Sequence, residues 1–132
     1  MTKEELVRIA LDARKNSYSP YSHFAVGAAL LCSDGSVYIG ANVENASYPL
    51  CMCAERTCLY SAMMDGKGRD DFIAFAVAAD TEGPTSPCGA CRQVLQELYP
   101  NDKPIYLGNL HGEIRTTTVN ELLPFAFDGG DL

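Results

Sequence analysis

Cys53, Cys88 and Cys91 are the residues of this chain whose type and spacing point most directly to chemistry. Cys88 and Cys91 form a C-x-x-C pair, a pattern shared by redox dithiols, halves of structural zinc sites and accidental neighbours. A third cysteine narrows the choice. Structural zinc is closed by four protein ligands, whereas catalytic zinc keeps one position open for water. Cys51 is a fourth candidate by type, but it stands two residues before Cys53 in an expected loop, and sharing one metal would need a sharp chain reversal. It is read as a non-ligand. Glu55 is either an acid–base group beside the metal or a first-turn acid that favours a helix dipole. Arg56 either offsets the surplus negative charge of three thiolates on Zn²⁺ or forms an ordinary surface ion pair.

These residues need a scaffold, and the hydrophobic pattern outlines one. Thr2 and Glu5 make a capping-box pair, and Leu6, Ile9, Ala10 and Ala13 recur at helical spacing, so residues 2–17 read as an amphipathic helix broken at Ser19-Pro20. Phe24 to Leu31 reads as a buried strand, Asp34-Gly35 as a hairpin turn, and Ser36 to Ala41 as the returning strand. Asn42 to Met52 has no period and reads as a loop. Helices are expected over 53–64 and 88–99, with a strand over 72–79 between them. Strands over 104–109 and 113–117 and a short helix over 119–123 complete the chain. The order α-β-β-α-β-α-β-β implies one α/β domain over residues 1–132, a three-layer α/β/α arrangement around a mixed five-stranded sheet. The three cysteines then fall at the starts of two helices, where free N–H groups and the helix dipole favour thiolates. Cys32 and Cys58 sit among apolar neighbours and read as core.

Composition narrows the partners. The chain has 132 residues and a net charge of −7, with ten basic residues scattered among seventeen acids. A phosphate-backbone binder gathers cations on one face, so polymeric nucleic acid is a poor partner; a small neutral ligand needs no such field. No apolar run approaches the roughly 20 residues of a membrane helix. The acidic start, with no signal-like apolar stretch, leads to an expected cytoplasmic location, where metal binding or buried thiols suit six cysteines better than disulfides.

The motifs Cys53-Ala54-Glu55 and Pro87-Cys88-Gly89-Ala90-Cys91 match the H-x-E and P-C-x-x-C signature of zinc deaminases, with Cys53 in the histidine position. The likeness extends through Tyr21-Ser22, Phe24, Val26-Gly27-Ala28-Ala29-Leu30, Asn42-Val43-Glu44-Asn45-Ala46-Ser47-Tyr48, Cys53 to Arg56, Ser86 to Gln93 and Leu122-Leu123-Pro124. Over nearly its whole length the chain resembles the small, all-cysteine, homotetrameric cytidine deaminases. That resemblance implies hydrolytic deamination of cytidine and deoxycytidine in pyrimidine salvage, with one Zn²⁺ per chain and Glu55 shuttling protons. It implies that the Ala54 N–H and the Ser86 carbonyl address the pyrimidine, Phe24 packs on the nucleoside, and Asn42 and Glu44 hold the ribose hydroxyls. It further implies a homotetramer with shared active sites, to which Tyr48 and Phe127 contribute across subunits.

Taken singly, Phe24 reads as core, Asn42 as a turn residue and Glu44 as a solvated loop acid. Together in one motif they favour the nucleoside reading. A blasticidin-type deaminase, which should lack the ribose pair, and a non-catalytic structural zinc or redox domain remain as alternatives. His23 and His111 lack ligand spacing.

Overall fold

A five-stranded mixed sheet, described over residues 1–132 by a computed structural model, separates one helix on its first face from three, one of them a single turn, on its second. The elements are α1 (Lys3–Ala13), β1 (Val26–Cys32), β2 (Val37–Ala41), α2 (Ala54–Met64), β3 (Phe72–Ala79), α3 (Gly89–Leu98), β4 (Ile105–Asn109), β5 (Ile114–Thr117) and α4 (Val119–Leu122). Strand order is β2-β1-β3-β4-β5. Only β3 and β4 run parallel, because α3 crosses between them; the other neighbours are antiparallel. This is the expected three-layer α/β/α architecture.

Side-chain size on β3 explains the two layers. Phe75 and Val77 point to one face and join Leu30, Leu59, Leu95, Tyr99 and Ile105 in the larger core under α2 and α3. Ala74, Ala76 and Ala78 point to the other and meet Leu6, Val7 and Ala10 of α1. Alternation on a strand makes this division possible, and the alanine face lets α1 lie close. The buried Tyr99 ring keeps its hydroxyl satisfied, donating to the Pro104 carbonyl at 2.7 Å.

Two expected boundaries shift. The first helix ends at Ala13 and tightens into a single 3₁₀ turn, Arg14–Asn16, instead of running to 17. Arg14 Nε there reaches the Ala25 carbonyl at 3.0 Å. Phe24 does not belong to the first strand, which begins at Val26. Its carbonyl accepts from the Asn42 side chain rather than from a strand neighbour. The Thr2–Glu5 pair does cap α1: the Glu5 N–H donates to the Thr2 hydroxyl at 3.1 Å, and that hydroxyl donates to the Glu5 carboxylate. The hairpin turn falls at Asp34-Gly35 as its residues demand, with Gly35 at φ +89°.

Candidate active site

One end of the sheet gathers every predicted residue except Phe127. Pairing of Gly27 with Ala41, Val26 with Ala79 and Ala79 with Asn109 places the start of β1 beside the ends of β2, β3 and β4. The start of α2 is held at this end by Gly40. A Cβ there would lie 2.5 Å from the Ala54 carbonyl oxygen and from the Cys58 nitrogen, so helix backbone rests directly on the strand.

Cys53 and Cys88 are each the extended residue immediately before a helix, α2 and α3 respectively, and Cys91 lies in the first turn of α3. Their three Sγ atoms all lie within 4.8 Å of one another, with Cys53 and Cys88 3.8 Å apart. A tetrahedral site with Zn–S bonds of about 2.3 Å requires S···S edges of about 3.8 Å. The donor set therefore fits zinc in both chemistry and spacing. Cys91 is fully buried, whereas Cys53 and Cys88 border a pocket, so a fourth ligand position would open there. Cys51 lies outside the group: its sulfur accepts from the Asn45 N–H at 3.3 Å. Cys32 and Cys58 are buried in the core.

Charge around the thiols is uneven. The hydrogen bond from Cys91 is the largest influence holding the Cys53 thiol down to about 5, with Arg56 and Cys88 assisting against burial. Cys91 is pushed up in return. The Arg56 Nη2 donates to Cys53 Sγ at 3.4 Å, and its buried Nε has no partner. The cations paired with carboxylates are Lys15 and Lys67, so Arg56 faces the Cys53 sulfur instead of forming a surface pair. Glu55 is only 4% exposed and borders the pocket beside the thiols. Burial pushes its carboxyl up to about 7, reinforced by the charge of Cys53.

The pocket has a volume of about 330 Å³. Phe24, Asn42, Glu44, Tyr48, Ala54 and Ser86 all line it. Ala54 is the first residue of α2, so its N–H has no acceptor within the helix. The Ser86 hydroxyl accepts from Arg92 Nη2 at 2.7 Å, and Arg92 also reaches the Pro87 and Leu122 carbonyls. Asn42 is strongly tied: its oxygen accepts from Ser17 Oγ at 2.7 Å and the Val26 N–H at 2.9 Å, and its amide donates to the Phe24 carbonyl at 2.8 Å. Glu44 accepts the N–H groups of Tyr21 and Ser22 at 3.0 and 3.1 Å and the Ser22 hydroxyl. That hydroxyl is the chief cause of its lowered pKa.

Tyr48 is 66% exposed and meets Tyr21 edge-on, with ring centroids 6.3 Å apart. Phe127 does not line this pocket; its carbonyl accepts from the Gln93 side chain and its ring is exposed. His23 is exposed, and His111 stands 3.7 Å from Asp80; neither joins the thiol group. Ser22 and Thr85 also line the pocket, although their spacing marks neither. Ser22 had one signal, its place beside Phe24 in a matching motif. Thr85 had none, since its hydroxyl bond to Thr81 at 2.8 Å appears only in the folded loop.

Three thiols at the starts of two helices with an open side, and a buried carboxyl beside them, define a zinc-dependent hydrolytic site. The profile of the cytidine and deoxycytidylate deaminase zinc-binding region matches residues 1–107. A cytidine deaminase of Halalkalibacterium halodurans is 56% identical over 132 residues, covering 100% of this chain and 98% of that one. One from Sporosarcina psychrophila is 52% identical, covering 100% and 96%. The crystal structure of the Burkholderia pseudomallei cytidine deaminase superposes with a TM-score of 0.94 at 51% identity, covering 96% of this chain and 100% of that one. The chain belongs to the cytidine and deoxycytidylate deaminase family. It is an enzyme of that family, and its cofactor is zinc.

Proposed function

We propose that this protein hydrolyses the 4-amino group of cytidine and deoxycytidine, giving uridine and deoxyuridine with release of ammonia, in pyrimidine salvage. The observation that carries this reading is the junction, in one pocket, of the Cys53–Cys88–Cys91 group, the buried Glu55 and the polar pair Asn42 and Glu44. Zinc held by Cys53, Cys88 and Cys91 supplies a Lewis acid that makes water a nucleophile near neutral pH. Glu55 takes a proton from the attacking water and passes it to ring N3 as the new C4–O bond forms. It then delivers the second proton to the amino group, the C4–N bond breaks and ammonia departs. A carboxyl suits this shuttle because it acts in turn as base and acid.

The remaining residues place the nucleoside. The Ala54 N–H and the Ser86 carbonyl bond the pyrimidine edge, Phe24 covers the base or ribose face, and Asn42 and Glu44 engage sugar hydroxyls. Arg56 and the two helix starts offset thiolate charge, which otherwise weakens the acidity of the metal. Tyr48 and Phe127 complete pockets of neighbouring subunits in a homotetramer, and no helix is long and apolar enough to cross a membrane.

The test is a substrate panel monitored for ammonia, with zinc measured on the same sample. One zinc per chain and efficient turnover of cytidine and deoxycytidine are expected, with free cytosine much poorer. Zinc without turnover of any cytosine nucleoside would sink the enzymatic assignment. Equal efficiency on cytidine and cytosine would refute the sugar contacts of Asn42 and Glu44.

A further inference from the structure

We propose that Ser22 is a positioning residue that joins the sugar-binding carboxylate to the base-covering ring, so that the two halves of the nucleoside are engaged as a unit. The proposal rests on the assignment of Glu44 to the ribose and Phe24 to the nucleoside face. Its structural basis is one hydroxyl used in both directions. Ser22 Oγ donates to Glu44 Oε2 and accepts the Phe24 N–H at 3.0 Å.

The surroundings leave this hydroxyl in a decisive place. Tyr21 to Ala25 lie in no regular strand or helix, and His23 adopts a left-handed φ of 57°, so no sheet ladder fixes Phe24. Asn42 holds the backbone on the far side of Phe24 through the Phe24 carbonyl and the Val26 N–H. The near side is held through Ser22 and, behind it, Glu44. Glu44 Oε1 already accepts two backbone N–H groups, while Oε2 has the Ser22 hydroxyl as its partner. A carboxylate oxygen has room for a further donor, so Oε2 can meet a sugar hydroxyl while Ser22 remains bonded. That geometry transmits a pull on the carboxylate directly to the backbone that carries the Phe24 ring. A serine hydroxyl, as one donor and a twofold acceptor, is suited to this relay. Alanine breaks both bonds and leaves the carboxylate short of a donor.

A double-mutant cycle on the zinc-loaded, full-length enzyme tests the relay. Ser22→Ala is expected to raise KM for cytidine and the Kd of the product uridine by about 10- to 150-fold, on the scale of a lost hydrogen bond to a charged group, with kcat within about threefold. Ser22→Thr, which keeps the hydroxyl, should stay within about threefold of the parent on all three quantities. Glu44→Gln should raise KM, and adding Ser22→Ala to it should then cost much less than it does alone. A raised KM in Glu44→Gln with an unchanged one in Ser22→Ala overturns the relay. So does a Ser22→Ala penalty that persists undiminished in the Glu44→Gln background, or one that Ser22→Thr shares in full. An unchanged KM in Glu44→Gln instead overturns the ribose assignment on which the relay stands.

Discussion

Glu55 combines two properties that work against one another at the level of a single residue. It borders the pocket, where a proton carrier is needed, and it is buried, where a carboxylate is costly. Glu55→Gln should lower kcat by at least about 100-fold while leaving fold and zinc content intact, as measured by ammonia release, circular dichroism and metal analysis. The same change should stabilise the metal-free protein. The folded carboxyl titrates near 7 against an ordinary value of 4.5, so the folded state holds the extra proton and its stability falls as pH rises through that window. Denaturant melts of metal-free protein at pH 8 should favour Glu55→Gln by about 1–3 kcal/mol, with the gap closing toward pH 4. A gap that widened toward pH 4 would contradict the burial argument. The three thiols and Glu55 were legible in the sequence because two short motifs carry them, while the meeting of Cys53 with Cys88, 35 residues on, comes from the fold. The direction of Arg56 was not: a sequence neighbour of Cys53 can point to a surface acid or to the thiolate, and only packing decides between them.

Among the elements, apolar periodicity, apolar runs and turn residues located the four α-helices and five strands, while the 3₁₀ turn at Tyr48–Leu50 lies in what reads as loop. Their ends were less legible. Phe24 extends an apolar run and so reads as strand, yet Asn42, eighteen residues away, captures its carbonyl. The close contact at Gly40 was equally silent, because glycine in a strand has several meanings. Its consequence is direct. Gly40→Ala should place a methyl 2.5 Å from α2 backbone and push the helix start off the strand, displacing Cys53 and Glu55. We expect a loss of at least about 2 kcal/mol in stability and at least tenfold in kcat/KM, because overpacking and small displacements of a catalytic group are both costly. Gly83→Ala, where a Cβ meets nothing within 4 Å, is the matched control and should be near neutral. Equal effects of the two substitutions on melting temperature and kcat/KM would remove Gly40 from its supporting role.

For the whole molecule, the exposed aromatic groups matter more than the core. Tyr48, Phe125 and Phe127 are at least half exposed on this chain, and Met64 ends α2 at 85% exposure. Large apolar side chains left in water at several points suit burial between copies. Light scattering should give a mass about four times 14.3 kDa. Phe127→Ala should reduce kcat/KM for cytidine by about 5- to 50-fold even though the ring does not line its own chain's pocket, on the scale of losing a packed aromatic contact. A monomer with full activity, or an active tetramer indifferent to Phe127→Ala, would refute shared pockets. Such contacts leave no trace in the spacing of a single chain, so here the resemblance, rather than the pattern, supplied the expectation.

Cys53 and Cys88 stand 35 residues apart on different helices, yet their sulfurs are neighbours. The metal that joins them is also a clasp across the chain, and it makes the protein's thermal endurance an indicator of its surroundings. Once free zinc exceeds the dissociation constant, each tenfold rise should add about 1.4 kcal/mol to folding stability. Melting temperatures recorded in a series of zinc buffers should therefore climb with the logarithm of free zinc, and a chelator should reverse the climb. A flat series would mean that the thiols hold no metal when the chain is folded. A rising one would mean that a cell starved of zinc loses this enzyme twice, first as a catalyst and then as a fold.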